Sequence, residues 1–194
     1  MATQPLPYVT PEQYLEFDRN SELKNEYIFG EIVCMAGGSP PHALIIANAI
    51  RELGVRLAEG PCVVFSSELR VAVNPKTGYV YPDVTVVCGP LEYVDGKKET
   101  ITNPKLVVDV LSPTTRNHDL GDKARLYWKS PSLSDVIFIE QDTIGIEHWH
   151  RTSDGELKWT TLEHPGDILN IESLNCEIPL SRLYLGVELT TALE

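Results

Sequence analysis

The chain has 194 residues, of which 42% are hydrophobic and 23% charged, values that are ordinary for a folded globular protein. Its formal net charge of −12 argues against wholesale non-specific binding of nucleic acid, although a local basic groove is still allowed. No run approaches the roughly 20 apolar residues of a membrane span. The first residues lack the basic and apolar regions of a secretory signal, so we expect a cytoplasmic protein without membrane contact.

We expect one domain over residues 1–194, because no linker, repeat or low-complexity segment divides the chain. Residues 1–8 and 189–194 are expected to be flexible, and Leu193-Glu194 could be a tag remnant. The four cysteines show no Cys-x-x-Cys pair, so we expect reduced, mostly buried thiols and no zinc site. They are Cys34, Cys62, Cys88 and Cys176.

The first third of the chain predicts a helix, a strand and a second helix. Thr10 can cap a helix over about 9–19, with Pro11 at its first position. Residues 26–34 form a strand pattern with Gly30 at a turn or bulge. Apolar residues spaced by three and four predict a helix over 42–58.

The remaining chain predicts a series of strands with one further helix. Residues 91–103 are polar and predict a loop or flap, and 117–129 predict the helix. The predicted strands are 62–65, 68–73, 81–88, 105–111, 136–140, 144–150, 157–162 and 168–171. This order predicts a mixed α/β domain in which additional strands follow the last helix.

Two acidic residues lie in runs that otherwise predict buried strands. Asp83 follows Tyr81-Pro82 in a valine-rich segment, and Asp109 stands between Val108 and Val110. An unpaired polar group in such a place costs about 2–7 kcal/mol, and a charged one costs more. If the two strands are neighbours, both carboxylates can meet at one end of the sheet. Hard oxygen ligands of this kind suit Mg²⁺ or Mn²⁺.

These residues resemble a known family. Tyr81-Pro82-Asp83, followed by Val-Val-Asp-Val-Leu-Ser-Pro-Thr-Thr-Arg-Asn-His-Asp-Leu-Gly-Asp-Lys over 107–123, is similar to the Uma2 family. This family was formerly a domain of unknown function, abundant in cyanobacteria, within the PD-(D/E)XK restriction-endonuclease-like superfamily. The resemblance also includes the segments 27–33 and 39–42, and its most specific part is 106–127. It implies a restriction-endonuclease-like α/β core, with a mixed central sheet flanked by helices.

The resemblance implies a metal-dependent DNA endonuclease that hydrolyses phosphodiester bonds with Mg²⁺ or Mn²⁺. Asp83, Asp109 and the carbonyl of Val110 would bind the metal, and Glu31 is a further candidate ligand. Lys123 would orient the attacking water or stabilise negative charge. The candidates for a supporting role at the site are His42 and Asp119. The candidates for DNA binding are Arg116 and Arg125.

Two positions depart from the family pattern. The second acid is usually glutamate, which Asp109 replaces with a shorter side chain, and Leu111 occupies the superfamily's lysine position. These departures leave open a catalytically weakened nucleic-acid-binding or scaffold domain of the same fold. A metal-dependent phosphohydrolase of small substrates is a further alternative. The sequence leaves the oligomeric state open. A homodimer is one candidate, because nucleases that cut both DNA strands are often two-fold symmetric.

The sequence also allows a purely structural role for each candidate site residue. Asp83 could close a turn, and Asp109 could fill a purely structural role. Lys123 could simply pair with Asp119 four residues earlier. Glu31 and His42 could be ordinary surface and packing residues, and Thr114 and Thr115 could cap the helix. His148 and His150 alternate along a strand, and two histidines spaced in this way can bind a metal. No third ligand is near in the sequence, so we expect surface histidines.

Overall fold

The computed structural model of the protein describes residues 8–35, 37–94 and 96–189. The predictions for residues 1–7 and 190–194 therefore lie outside the described residues. Helix α1 spans Pro11–Asn20, and Thr10 caps it in a reciprocal capping box with Gln13. The predicted first strand is a hairpin of β1 (Asn25–Ile28) and β2 (Glu31–Cys34), because Phe29 and Gly30 take positive φ angles between them.

Helix α2 spans Pro40–Leu57 and matches the predicted amphipathic helix. Ser39 caps it by accepting a hydrogen bond from the backbone of His42, which fixes the direction of its first turn. The strands that follow α2 are β3 (Cys62–Ser66), β4 (Arg70–Asn74), β5 (Gly78–Val80), β6 (Val84–Cys88), β7 (Thr100–Ile101) and β8 (Leu106–Leu111).

The segment after β8 is helical but irregular. It consists of α3 (Arg116–His118), a π-helical turn (Asp119–Lys123) and α4 (Ala124–Tyr127). The C-terminal elements are β9 (Asp135–Glu140), β10 (Ile146–Arg151), β11 (Leu157–Leu162), β12 (Ile168–Ile171), a 3₁₀ turn (Glu172–Leu174), β13 (Cys176–Pro179) and α5 (Leu180–Leu183).

The strands form two main sheets and a small hairpin. One sheet has the order β2-β1-β5-β4-β7, and the other has the order β11-β10-β9-β8-β6-β3. The six-stranded sheet is mixed, because β8 and β9 are parallel while its other pairs are antiparallel. Within the described residues, strands β12 and β13 pair only with each other. The predicted mixed α/β class with additional C-terminal strands is confirmed.

Three apolar clusters arrange these elements in layers. One contains the inner stripe of α2, one face of the six-stranded sheet, the β12–β13 hairpin and α5. The second lies between the two sheets and includes Tyr127 of α4. The third lies on the far face of the five-stranded sheet, where Tyr14 of α1 stacks on Tyr27. The two sheets therefore pack face to face between α1 and α2.

Four features differ from the sequence predictions. Strand β5 lies between the predicted strands 68–73 and 81–88, and the predicted loop at 91–103 contains β7. The predicted helix at 117–129 is interrupted by the π-helical turn. His148, expected at the surface, is 5% exposed because it pairs with the buried Asp135.

The cysteine prediction is wrong for one pair. Cys62 and Cys88 form a disulfide, while Cys34 is free and exposed and Cys176 is free and buried. The antiparallel register of β3 and β6 places the two bonded cysteines directly opposite each other. None of the helices in the described part of the chain has the length and apolar character that a bilayer crossing requires.

Candidate active site between the sheets

Asp83 and Asp109 lie on neighbouring strands of the six-stranded sheet. Asp83 immediately precedes β6. Val84 pairs with Val108 in antiparallel register, so one step along the register places Asp83 opposite Asp109. Residues directly opposite each other in a sheet project from the same face. Both carboxylates are buried, with exposures of 9% and 3%, so the charges that contact them determine their chemistry.

Asp83 is held by the main chain of the adjacent strand. Its Oδ2 atom accepts a 2.7 Å hydrogen bond from the backbone N–H of Val110. Burial and the nearby charge of Asp109 raise the pKa of Asp83 to about 7, although this hydrogen bond and the charge of Lys123 oppose the rise. A cation beside Asp83 would therefore favour its charged form.

Lys123 is a buried ammonium surrounded by carboxylates. Its Nζ atom lies 3.1 Å from Oδ1 of Asp109 and 3.0 Å from Oε1 of Glu26. Burial by itself lowers the pKa of Lys123, but Asp109 and Glu26 outweigh it and hold the pKa well above its usual value. Asp119, the partner that helical spacing suggested, is more distant at 4.0 Å. The ammonium therefore lies closer to the two strand carboxylates than to the carboxylate on its own helical segment.

Asp109 has hydrogen-bond partners on both oxygens. Lys123 donates to Oδ1, and the hydroxyl of Tyr127 donates to Oδ2 at 2.6 Å. Burial and the charge of Asp109 hold the pKa of Tyr127 well above its usual value, so the hydroxyl keeps its proton and acts as a donor. Leu111 is 1% exposed in the apolar layer between the sheets. An apolar side chain thus occupies the position at which the sequence resemblance led us to look for a lysine, while Lys123 reaches Asp109 from the helical segment.

Glu26 is a site residue that sequence reasoning missed. It is 4% exposed on β1, and its Oε1 accepts a hydrogen bond from the backbone N–H of Tyr81 at 2.9 Å and forms an ion pair with Lys123 at 3.0 Å. Glu31, the upstream acid that we nominated, is exposed at the start of β2. The available signal was an acid within a predicted strand, which is the kind of signal that identified Asp109.

His42 and Asp119 lie at the edges of this cluster. His42, in the first turn of α2, places Nε2 3.5 Å from Oδ2 of Asp83. Burial lowers the pKa of His42, against the opposing effect of a hydrogen bond with the backbone of Val110. Burial likewise raises the pKa of Asp119 to about 6, against the lowering effect of Lys123. Both supporting candidates thus lie beside the cluster, His42 next to Asp83 and Asp119 next to Lys123.

The two arginine candidates for DNA binding lie at the surface with acidic partners. Arg116 bonds to Glu140 at 2.9 Å, and Arg125 is 3.3 Å from Asp122. The side chain of Arg125 is 78% exposed and that of Arg116 is 45% exposed. An exposed ion pair contributes only about 0–1 kcal/mol to stability. Either arginine could therefore release its acidic partner and bind a phosphate instead.

The donor set is compatible with a hard divalent cation. Within residues 8–35, 37–94 and 96–189, no group of three or more acidic, histidine or cysteine side chains is arranged to hold a metal ion. An ion here would use two carboxylates together with main-chain and water oxygens, which are donors that Mg²⁺ accepts. Although both oxygens of Asp109 have partners, each carboxylate oxygen can accept more than one contact. The residues present therefore fit Mg²⁺ or Mn²⁺ by donor type.

Comparisons with known proteins identify the family of this chain. A model of the Uma2 family, described as "Putative restriction endonuclease", matches residues 11–181. The chain belongs to the Uma2 family. One relative, the uncharacterised protein slr1290 of Synechocystis sp., is 33% identical over 94% of this chain and 95% of its own length. A second, sll1609 of the same organism, is 29% identical over 84% of this chain and 92% of its own length.

A solved structure shares the fold of this Uma2 chain. It is the crystal structure of "a putative nuclease belonging to DUF820" from Anabaena variabilis, with a TM-score of 0.74 and 16% sequence identity. The similarity covers 91% of this chain and 97% of the other. The expected restriction-endonuclease-like fold is consistent with this neighbour, and the family assignment is confirmed.

Proposed function

We propose that this Uma2 protein is a DNA endonuclease whose activity depends on Mg²⁺ or Mn²⁺. The observation that carries the proposal is the buried cluster in which Lys123 contacts Asp109, with Asp83 opposite Asp109 on the neighbouring strand. A buried carboxylate pair with a charged lysine is suited to a reaction in which negative charge develops on a phosphate. The description of the family and the name of the structural neighbour support the same reaction class.

Asp83, Asp109 and the main-chain carbonyl of Val110 would hold the ion. When bound, it would lower the pKa of a water molecule and neutralise charge on the phosphate. Glu26 replaces Glu31 in this proposal as the upstream acid, since it positions the ammonium of Lys123. Lys123 would stabilise the negative charge that develops as a water oxygen bonds to phosphorus. One P–O ester bond then breaks, the leaving oxygen gains a proton, and the products are a phosphate monoester and a hydroxyl group.

A catalytically inactive nucleic-acid-binding protein is the second candidate. It is favoured by the two hydrogen bonds that already occupy the oxygens of Asp109. In that case, the cluster of Lys123, Asp109 and Glu26 would stabilise the fold without catalysing hydrolysis. DNA binding and DNA cleavage must therefore be measured separately.

Single-turnover cleavage of plasmid DNA with Mg²⁺ or Mn²⁺ tests the first candidate. We expect Asp83→Asn and Asp109→Asn each to lower the rate by about 10²-fold or more, because each keeps the side-chain shape and removes a ligand charge. Asp122→Asn is the matched control, since Asp122 is an exposed acid on the same helical segment. It should cleave at the wild-type rate.

Binding of labelled DNA, followed by fluorescence anisotropy, separates the two candidates. Binding without metal-dependent cleavage by the wild type would favour the inactive binding protein. Cleavage by Asp83→Asn at the wild-type rate would show that the active site has been assigned to the wrong residues.

A further inference from the structure

A second cluster of metal-binding residues lies on the C-terminal half of the six-stranded sheet, on strands other than those that carry Asp83 and Asp109. His148 and His150 alternate along β10, so both side chains lie on the same face of the sheet. Their ring centroids are 5.2 Å apart. They line a cavity of about 740 Å³ between this face and the segment formed by β12 and the following 3₁₀ turn.

Asp135 orients the first of these histidines. Its Oδ1 atom lies 2.7 Å from Nε2 of His148, and its Oδ2 atom accepts a hydrogen bond from the hydroxyl of Ser173. Both Asp135 and His148 are buried, with exposures of 1% and 5%. Metal-binding histidines almost always donate their other ring N–H to a carboxylate or carbonyl in this way, which fixes the ring and increases the basicity of the free nitrogen. The carboxylate thus leaves Nδ1 of His148 for a ligand.

The second histidine has an enclosed nitrogen without a partner. Nδ1 of His150 is buried and makes no hydrogen bond among the described residues. A buried polar atom without a partner costs about 1–3 kcal/mol, so this atom indicates a missing ligand or water.

The spacing of the rings suits a transition metal. With metal–nitrogen distances of about 2.1 Å and a tetrahedral angle, the centroids of two coordinating imidazoles lie about 5 Å apart. This agrees with the observed 5.2 Å. A pair of imidazole ligands favours Zn²⁺, Ni²⁺ or Cu²⁺, whereas carboxylates favour hard ions such as Mg²⁺.

The charges around the cavity also favour a cation. Asp154 and Glu172 line it together with Asp135, while the cations on its wall are Lys158 and Arg151. The guanidinium of Arg151 is engaged elsewhere, since it lies over the ring of Trp128 and bonds to the backbone carbonyl of that residue. Acidic groups therefore outnumber the cations that are available to an anion.

We propose that His148 and His150 form a binding site for a divalent transition metal such as Zn²⁺, with Asp135 as the positioning residue. The site holds two protein ligands and completes its coordination with water, which is consistent with the absence of a three-residue cluster in the described part of the chain. It does not depend on the proposed nuclease activity, because the two sites share no residue.

Calorimetric titration of tag-free protein with Zn²⁺ tests the proposal. The parent variant is Asp83→Asn with Cys34→Ser, which removes a proposed nuclease ligand and an exposed thiol that could also bind zinc. We expect this parent to bind one Zn²⁺ per chain, and excess Mg²⁺ should not displace it. Adding His150→Ala should weaken the binding by at least about 10-fold, and Asp135→Asn should weaken it by about 10–100-fold.

His164→Ala is the matched control, because His164 is an exposed histidine outside this cavity and should leave the affinity unchanged. His150 is only partly buried, so its variant tests the site even if substitutions of His148 or Asp135 prevent folding. No zinc binding by the parent, or equal affinity in the parent and in its His150→Ala variant, would overturn the proposal. Loss of nuclease activity in Asp83→Asn would not affect this result.

Discussion

Lys123 shows how strongly one buried cation depends on its neighbours. It contacts Asp109 at 3.1 Å and Glu26 at 3.0 Å, and all three side chains are at most 5% exposed. Removing one partner from a buried ion pair typically costs about 3–5 kcal/mol, because the remaining charge is left without compensation. The contribution of Lys123 to stability must therefore be measured separately from its contribution to catalysis.

We expect Lys123→Met to destabilise the protein strongly and Glu26→Gln to relieve part of that loss. In the Glu26→Gln background one uncompensated carboxylate is removed, while the glutamine oxygen can still accept the hydrogen bond from Tyr81. The coupling free energy from urea unfolding of both single variants and the double variant should be about 0.5–3 kcal/mol. The exposed pair Arg125 and Asp122 is the control and should show a coupling below about 1 kcal/mol. Additive effects at Lys123 and Glu26 would contradict the arrangement.

The raised pKa of Asp83 gives stability a pH dependence. The folded-state pKa is about 7, above the ordinary value of 3.8, so the folded chain binds a proton that the unfolded chain releases between these values. The contribution of Asp83 to stability is thus fully present below pH 3.8 and is lost as the pH rises through about 7. Asp83→Asn removes this dependence and can still accept the hydrogen bond from Val110.

With chelator present, we expect Asp83→Asn to gain stability relative to the wild type as the pH increases from 5 to 8.5. Urea unfolding at both pH values measures this change. Asp122→Asn, at an exposed acid, should keep the wild-type pH dependence. A constant difference between Asp83→Asn and the wild type would show that Asp83 has an ordinary pKa.

Two glycines illustrate how elements differ in their tolerance of a side chain. Gly54 lies inside α2, where an added Cβ atom meets nothing within 4 Å. Gly78 begins β5, where the same atom would collide with the side chain of Leu126. Helix propensity therefore decides the outcome at the first position and packing decides it at the second.

We expect Gly54→Ala to stabilise the protein by about 0.5–1 kcal/mol, because alanine loses less backbone entropy than glycine when a helix forms. Gly78→Ala should destabilise it, since Leu126 belongs to the apolar layer between the sheets. Denaturant unfolding of the two variants measures both signs. Stabilisation by Gly78→Ala would show that Leu126 can move aside without loss.

The irregular helix after β8 is the element that carries Lys123. A π-helical turn spans Asp119–Lys123, and such turns often occur at functional sites. A hydrophobic pattern with helical spacing predicted the helix but contained no signal for the extra residue in this turn. The contacts of Lys123 with β8 and β1 are available only in the folded chain.

At the scale of the whole molecule, metal binding should be coupled to folding. A ligand that binds only the folded state adds RT ln(1 + [L]/Kd), about 2.7 kcal/mol at a hundredfold excess over Kd. We expect Mn²⁺ or Mg²⁺ to raise the melting temperature and a chelator to reverse the rise. Asp83→Ala should abolish the shift, whereas His150→Ala should retain it because these ions prefer oxygen ligands. An unchanged wild-type melting curve at millimolar metal would contradict the proposed metal site.

The local sequence pattern was sufficient to predict several helices and strands and two buried acids. The spacing of apolar residues predicted α2, and runs rich in valine predicted β6 and β8. The expectation of partners for two buried acids led to Asp83 and Asp109, because an unpaired buried charge is costly wherever it occurs. Their proposed roles as metal ligands remain predictions.

Other features depended on the packing of distant segments. The choice between Glu26 and Glu31 beside Lys123 depended on which face of the β1–β2 hairpin meets the helical segment. The disulfide required Cys62 and Cys88 to stand opposite each other in β3 and β6, and the burial of His148 required its pairing with Asp135. Helix and strand periodicity reports which side of an element is apolar, and the sequence by itself therefore determined most of the elements and the two buried acids Asp83 and Asp109. Only the tertiary structure decided which side chains from distant elements share a buried environment.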